Sequence, residues 1–231
     1  MYVPIFFLDT FSSADILTLN EDTSKHVAQV LRMKTRERLQ LTDGAGNLLT
    51  TEILDEHKKK CTVKIIERKR VARKQQDVSI AISLLKNTSR FEWFLEKATE
   101  IGVTEVIPLL CERTEKQHFR YERMKQILIS AMMQSKQVWL PVLQLPTPIT
   151  KIIPASKYDV KLIAHCEEEI KKSITDFREE LSVQILIGPE GDFTREEISF
   201  ALENQYRPVS LGKTRLRAET AGVVASTVLC I

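Results

Sequence analysis

The sequence predicts two domains, a small β domain followed by an α/β domain built on a mainly parallel sheet. Three observations predict this. The first seventy residues alternate apolar and polar side chains around turn signals. From Val78 onward, short apolar runs alternate with amphipathic stretches. Between them, Glu67–Gln76 is charged and has no clear period, so the domains are expected at 1–74 and 75–231.

The elements follow in order. Met1–Leu8 (MYVPIFFL) reads as an opening strand; it lacks the basic start and small-residue cleavage site of a signal peptide. Ser24–Met33 carries apolar side chains at helical spacing behind a Thr/Ser cap. Arg38–Thr42 and Leu48–Leu54 flank Asp43-Gly44-Ala45-Gly46-Asn47, a strong hairpin signal, and Cys61–Lys69 completes the small domain. In the second domain, strands are expected at Val78–Leu85, Val103–Leu110, Val160–Ala164, Val183–Ile187 and Val209–Leu211. Helices are expected at Arg90–Ile101, Arg120–Val138, Glu167–Leu181, Thr194–Asn204 and Glu219–Leu229. Ser89-x-x-Glu92 and Thr194-x-x-Glu197 have capping-box spacing and mark two helix starts.

Composition narrows the function. Of the 231 residues, 43% are apolar and 28% charged, the balance of a folded domain, not a disordered chain. No apolar run approaches the ~20 residues of a membrane span. The four cysteines, Cys61, Cys111, Cys166 and Cys230, lie too far apart for metal-ligand spacing, and reduced thiols in a cytoplasmic protein are expected. The net charge of +3 is uneven: residues 1–76 carry +4 and residues 77–231 carry −1. Basic runs at Lys58–Lys60 and Arg68–Lys74 suit a solvated face or a phosphate-binding surface.

In parallel α/β sheets, ligands sit at the carboxyl ends of the strands. Two loops stand out there. Ile185–Thr194 runs from a strand through Gly188-Pro189-Glu190-Gly191 into a capped helix. Val209–Ala221 runs from a strand through Gly212 and two arginines into a small-residue helix. Both are expected at the ends of neighbouring strands. Familiar alternatives are missing: there is no Gly-x-Gly-x-x-Gly after a strand, no Gly-x-x-x-x-Gly-Lys-[Ser/Thr] and no Gly-x-Ser-x-Gly. The histidines are scattered, and only His165, between a strand and a helix, falls near these loops. A phosphate ligand at the Gly-Pro-Glu-Gly helix start is disfavoured by Glu190 and Asp192, which would repel an anion.

Leu186–Phe193 (LIGPEGDF), Leu211–Ala221 (LGKTRLRAETA), Lys97–Val103 (KATEIGV), Glu112-Arg113, Val30–Met33 and Leu41–Gly46 stand in an order and spacing that resemble the RsmE family. These are bacterial 16S ribosomal RNA methyltransferases of the SPOUT superfamily that methylate uracil N3. The resemblance spans nearly the whole chain. It implies a PUA-like β-barrel that binds RNA, followed by a SPOUT α/β domain threaded as a trefoil knot, and a homodimer. The departures are Thr214-Arg215-Leu216-Arg217 for Arg-Ile-Leu-Arg, Asp192 for the second glycine of Gly-Pro-Glu-Gly-Gly, Arg36-Glu37 for Gly-Asp, and Gln137 for Arg.

The resemblance further implies S-adenosylmethionine held by three loops, at Ala164 and His165, at Ile187, Gly188, Pro189, Glu190 and Gly191, and at Leu211, Gly212 and Leu216, with Thr220 beyond. RNA contacts are expected from Arg32, Lys34, Arg90, Arg113 and Arg215, with 16S ribosomal RNA or the small ribosomal subunit as partner. Arg217 is the candidate catalytic residue: a guanidinium would stabilise charge on the uracil carbonyl oxygens once N3 loses its proton. No metal is required. The contrasting reading is a non-catalytic RNA-binding or ribosome-assembly protein with a vestigial pocket.

Overall fold

A computed structural model of the chain describes residues 3–11, 14–115, 118–167 and 170–231. Two compact units result: Met1–Arg73 with Met132–Leu140, and Lys74–Ala131 with Pro141–Ile231. Among the described residues, no helix is long and apolar enough to cross a membrane.

The first unit is a curled five-stranded sheet of β1 (Ile5–Phe7), β2 (Ile16–Thr18), β3 (Arg38–Thr42), β4 (Asn47–Asp55) and β5 (Thr62–Arg70), in the order β1-β3-β4-β5-β2. Met1 and Tyr2 of the expected first strand lie outside the described residues. Alternation buries one face: Leu39, Leu41, Leu49, Ile53 and Val63 pack with Phe6, Leu17 and Val27. The expected helix over Ser24–Met33 starts earlier and changes pitch. Asn20, not a Thr/Ser pair, caps α1 (Glu21–Lys25) by accepting from Thr23 N, and the chain widens into a π-helical turn over His26–Val30. Val27 is buried there while Val30 and Leu31 face outward, so the apolar spacing overstates the buried stripe.

The β3–β4 turn is built by Asp43, whose Oδ1 accepts from Ala45 N at 2.8 Å and Asn47 N at 3.2 Å. Trp139 then closes over it. Gly46 N donates to Val138 O and Leu140 N to Gly44 O, both at 2.8 Å. Trp139 Nε1 donates to Val71 O at 3.2 Å, and the Arg70 and Arg73 guanidiniums lie 5.0 and 5.8 Å from the centre of its ring.

The second unit carries a parallel sheet of β6 (Asp77–Ser83), β7 (Glu105–Leu110), β8 (Val142–Leu143), β9 (Thr147–Pro148), β10 (Val160–Ala164), β11 (Lys172–Ser173), β12 (Ser182–Ile187) and β13 (Arg207–Ser210). Its order is β11-β13-β10-β12-β6-β7-β8, with β9 beside β7. Helices cover both faces, which is why the central strands are buried and mainly apolar. On one face α2 (Thr88–Ile101) packs against α6 (Ala218–Cys230) and α6 lies over β6 and β12. On the other, α4 (Ile149–Ala155) and α5 (Arg195–Glu203) supply Ile149, Ile153, Ile198 and Ala201 to a core with Ala81, Ile163 and Leu186. The α3 helix (Tyr121–Gln134) begins in this unit and ends in the first.

Three expectations are corrected. The box at Ser89 is not the start of α2: Asn87 is the cap, accepting from Ser89 N at 2.9 Å, and Glu92 instead receives the Arg123 guanidinium. The box at Thr194 does form, with Glu197 answering Thr194 N at 2.9 Å. Glu167–Leu181, expected to be helical, contains β11 and a single 3-10 turn over Ile174–Phe177, with residues 168 and 169 outside the described set. Its apolar positions at 170, 174, 177 and 181 have a helical period, but only Ile174 and Phe177 reach the core; Ile170 and Leu181 are exposed. Finally, β12 and β13 are not neighbours, because β10 lies between them.

The contact between Trp139 and the turn gives a test of the first unit. A Cβ on Gly46 would sit 2.4 Å from Cζ2 of Trp139, and the residue holds φ +90°. Steric overlap and left-handed strain together should make Gly46→Ala cost about 2–4 kcal/mol. Urea unfolding followed by Trp fluorescence measures it; a loss below about 0.5 kcal/mol would contradict this packing.

Candidate functional site

The site begins with register. Ala164 of β10 pairs with Ile187 of β12 on one side and with Val209 of β13 on the other. Three parallel strands therefore end within a residue of the same level, and the chain leaves each of them on the same edge of the sheet. The loops that follow surround a cavity of about 760 Å³. That lies within the range of small-molecule and cofactor sites.

The loop after β12 is the most firmly held. Asp192 N donates to Pro189 O at 2.9 Å, closing a turn. Arg113 Nη1 donates to Gly191 O at 2.7 Å and Phe193 O at 3.3 Å, and Glu190 Oε1 accepts from Lys86 N at 3.1 Å. Gly188 lets the loop close tightly, since a Cβ there would stand 3.1 Å from Phe193 N and force the backbone to give by a few tenths of an ångström. After β10, Lys171 Nζ donates to the carbonyl oxygens of His165 and Glu167, each at 2.6 Å. The loop after β13 is more open. Gly212 has φ +147° with no atom within 4 Å of its would-be Cβ, so glycine is required there by backbone conformation, not by crowding.

Of the residues expected around the cofactor, Ala164, His165, Ile187, Gly188, Pro189, Glu190, Leu211, Gly212 and Leu216 line this cavity. Gly191 does not; its carbonyl is turned to Arg113. Thr220 does not either, and Ala218 and Ala221 of α6 take that wall. Arg215 and Arg217 both line the cavity. Arg217 is the N-cap of α6 by backbone, accepting from Ala221 N at 2.8 Å, with no side-chain cap bond. Glu219 turns elsewhere: it is buried and sits 3.6 Å from Arg90 Nε. Arg90 and Arg113 are thus occupied by this unit's own carboxylate and carbonyl groups. Arg32 and Lys34 lie in the first unit, both exposed; Arg32 has φ +54°, and Lys34 Nζ is 3.9 Å from Glu56.

Sequence reasoning missed Cys166, Lys171, Asp192 and Lys213, which also line the cavity. Asp192 and Lys213 sat inside the recognised loops and were legible. Lys171 was hidden by the expectation of a helix there. Among the described residues, no group of three or more His, Cys, Asp or Glu is placed to hold a metal ion. The cavity offers glycine-backed main chain, apolar walls, the carboxylates of Glu190 and Asp192 on one side and the basic Lys213, Arg215 and Arg217 in the loop after β13, which fits a neutral or cationic organic ligand beside an anionic one.

The chain matches an RNA methyltransferase domain family over residues 72–230 and an RNA methyltransferase PUA domain family over residues 19–66. It is 31% identical to a ribosomal RNA small subunit methyltransferase E from Synechocystis, across 90% of this chain and 71% of the relative. Its fold superposes on a probable rRNA-methyltransferase from Porphyromonas gingivalis with a TM-score of 0.90 and 38% identity, covering 97% and 95% of the two chains. A ribosomal RNA small subunit methyltransferase E from Neisseria gonorrhoeae, bound to S-adenosyl methionine, superposes with a TM-score of 0.87 and 26% identity over 97% and 95%.

Thiol chemistry checks the cavity wall directly. Cys61, Cys111 and Cys230 are buried, and burial above all pushes their thiols up to about 11, about 12 and about 11. Cys166 is exposed, with a thiol raised by partial burial and then by the charge of Asp192. Iodoacetamide should therefore modify the native protein at Cys166 alone, faster as pH rises. Peptide mass spectrometry locates the adduct; modification of another cysteine first would contradict this burial pattern.

Proposed function

Because the chain belongs to the ribosomal RNA small subunit methyltransferase E family, we propose that it methylates N3 of a uridine in 16S ribosomal RNA, using S-adenosylmethionine held in the cavity above β10, β12 and β13. The observation that carries this reading is the shared level of the three strand ends, which gathers three loops around one space of cofactor size. The first unit has the PUA-like fold and the second the SPOUT fold. The chain acts in the cytoplasm as a homodimer in this reading.

The residues divide the work. Main-chain groups of Gly188–Glu190 and Leu211–Gly212, with the apolar sides of Ile187 and Leu216, would hold the cofactor. Bound there, S-adenosylmethionine supplies an electrophilic methyl group on a sulfonium. The walls exclude water from that methyl group and fix its direction, which is most of what an in-line displacement asks of a protein. The acceptor needs more help. Uracil N3 carries its proton at neutral pH, and as the proton leaves, negative charge spreads to the carbonyl oxygens on either side. Arg217 lines the cavity, stays charged, and forms no ion pair among the described residues, so its guanidinium is available to those oxygens. Arg215 is the phosphate contact. The exposed basic side chains of the first unit, Arg32 and Lys34 among them, supply salt-sensitive RNA affinity.

Single-turnover methylation of small-subunit RNA tests the proposal, with nucleoside mass spectrometry of the product. The wild-type chain should yield 3-methyluridine. Arg217→Ala should lose on the order of 10²–10³ in rate with cofactor affinity kept, and its residual rate should climb with alkaline pH. A different methylated nucleoside would refute the N3 assignment, and a near-normal rate at saturating RNA would move Arg217 to folding or docking.

A further inference from the structure

Asp192 joins two cofactor loops that the sheet alone leaves separate. It sits in the left-handed region at φ +63°, a conformation that Asp tolerates better than most side chains. That conformation completes the Pro189–Asp192 turn and points the carboxylate across to the loop after β10. Oδ2 accepts from Cys166 N at 2.7 Å, while Oδ1 accepts from its own neighbour Phe193 N at 2.8 Å. The side chain is half-buried and lines the cavity, as does Cys166.

One further tie joins the same segments, the exposed ion pair of Arg195 Nε with Glu167 Oε1 at 3.3 Å, which solvent screens; the rest run elsewhere. Arg113 and Lys86 hold the loop after β12 to segments beyond the cavity, and Lys171 holds the loop after β10 to its own continuation. The geometry points to Asp192 as a positioning residue that clasps the two loops together and so preforms the cofactor cavity. A charge-assisted bond to a backbone N–H is among the stronger hydrogen bonds, and a clasp formed before binding removes ordering that the ligand would otherwise impose. The residue acts through Cys166 N and the turn, with no contact to the reacting methyl required of it. This inference rests on the proposed cofactor site, but the clasp has a readout that needs no cofactor.

That readout is Cys166, the exposed thiol beside the clasp. Its thiol is raised first by burial and next by Asp192, with Arg215 and Lys171 opposing. Three full-length proteins suffice: wild type, Asp192→Gly and Asp192→Asn. Glycine suits the left-handed turn better than Asp, so a residue present only to make the turn would give Asp192→Gly equal or higher affinity for S-adenosylmethionine. The clasp instead predicts affinity weaker by on the order of tenfold in calorimetry for Asp192→Gly. Asp192→Asn, which keeps an acceptor oxygen, should recover part of it. In the absence of cofactor, iodoacetamide should alkylate Cys166 several-fold faster in Asp192→Gly than in Asp192→Asn, which lacks the same charge but keeps the acceptor oxygen, so the difference reports the loosened loop and not the lost charge. Equal affinity in wild type and Asp192→Gly, with equal alkylation in Asp192→Gly and Asp192→Asn, overturns the clasp. If wild type itself binds no S-adenosylmethionine, the cofactor assignment falls, and the alkylation comparison still decides the clasp.

Discussion

Everything at the site depends on one register. Ala164, Ile187 and Val209 are paired across three adjacent strands, so β10 holds its neighbours with their ends level. A shift of one strand by two residues, about 7 Å, would carry its loop out of reach of the other two. Parallel pairing with slanted, evenly spaced hydrogen bonds does not by itself choose a register. The choice is made by burial on both faces: Ile163 and Leu186 face the core with α4 and α5, and the intervening positions Leu162 and Ile185 are also fully buried. The site is precise because the core beneath it is closely packed.

That division explains the loops. Each has one anchor below, in the sheet, and others from segments around it. Arg113 and Glu197 illustrate how far such anchoring reaches: Arg113 grips the carbonyls of Gly191 and Phe193, while Glu197 both completes the cap of α5 and accepts from Glu112 N at 2.9 Å. The segment around Glu112-Arg113 is thus fastened both to the Gly-Pro-Glu-Gly loop and to the first turn of α5. The loop after β13 has the least such support, and it carries Arg215 and Arg217, the two cations given work on RNA.

Much of this was legible in the sequence, and for physical reasons. Strands buried on both faces must be mainly apolar, so β6, β7, β10 and β12 announced themselves as runs, within two residues of their observed ends. Thr194 and Glu197 satisfied the open end of α5 in a pattern four residues long, which a local reading can find. Strand order could not be read that way, because it depends on where α6 and the loops let the chain return; β10 therefore appeared between strands expected to be adjacent. The stretch around Ile174 failed for a related reason. Its period was real, but too little of it was buried for a helix to repay its ordering, and an edge strand took part of it. Trp139 lies far along the chain from Gly46, and nothing local in either segment signals that they meet.

If the loops above β10, β12 and β13 hold S-adenosylmethionine, a side chain at Gly212 must disturb its binding. This residue has φ +147° and open space around its would-be Cβ, on a loop with few bonds to the core. Calorimetric titration of S-adenosylmethionine into Gly212→Val, beside wild type and with thermal midpoints recorded for both, is the measurement. Cofactor binding by these loops predicts markedly weaker affinity, well beyond the modest fall in midpoint that a β-branched side chain at φ +147° imposes. Unchanged affinity would contradict it and place the cofactor elsewhere.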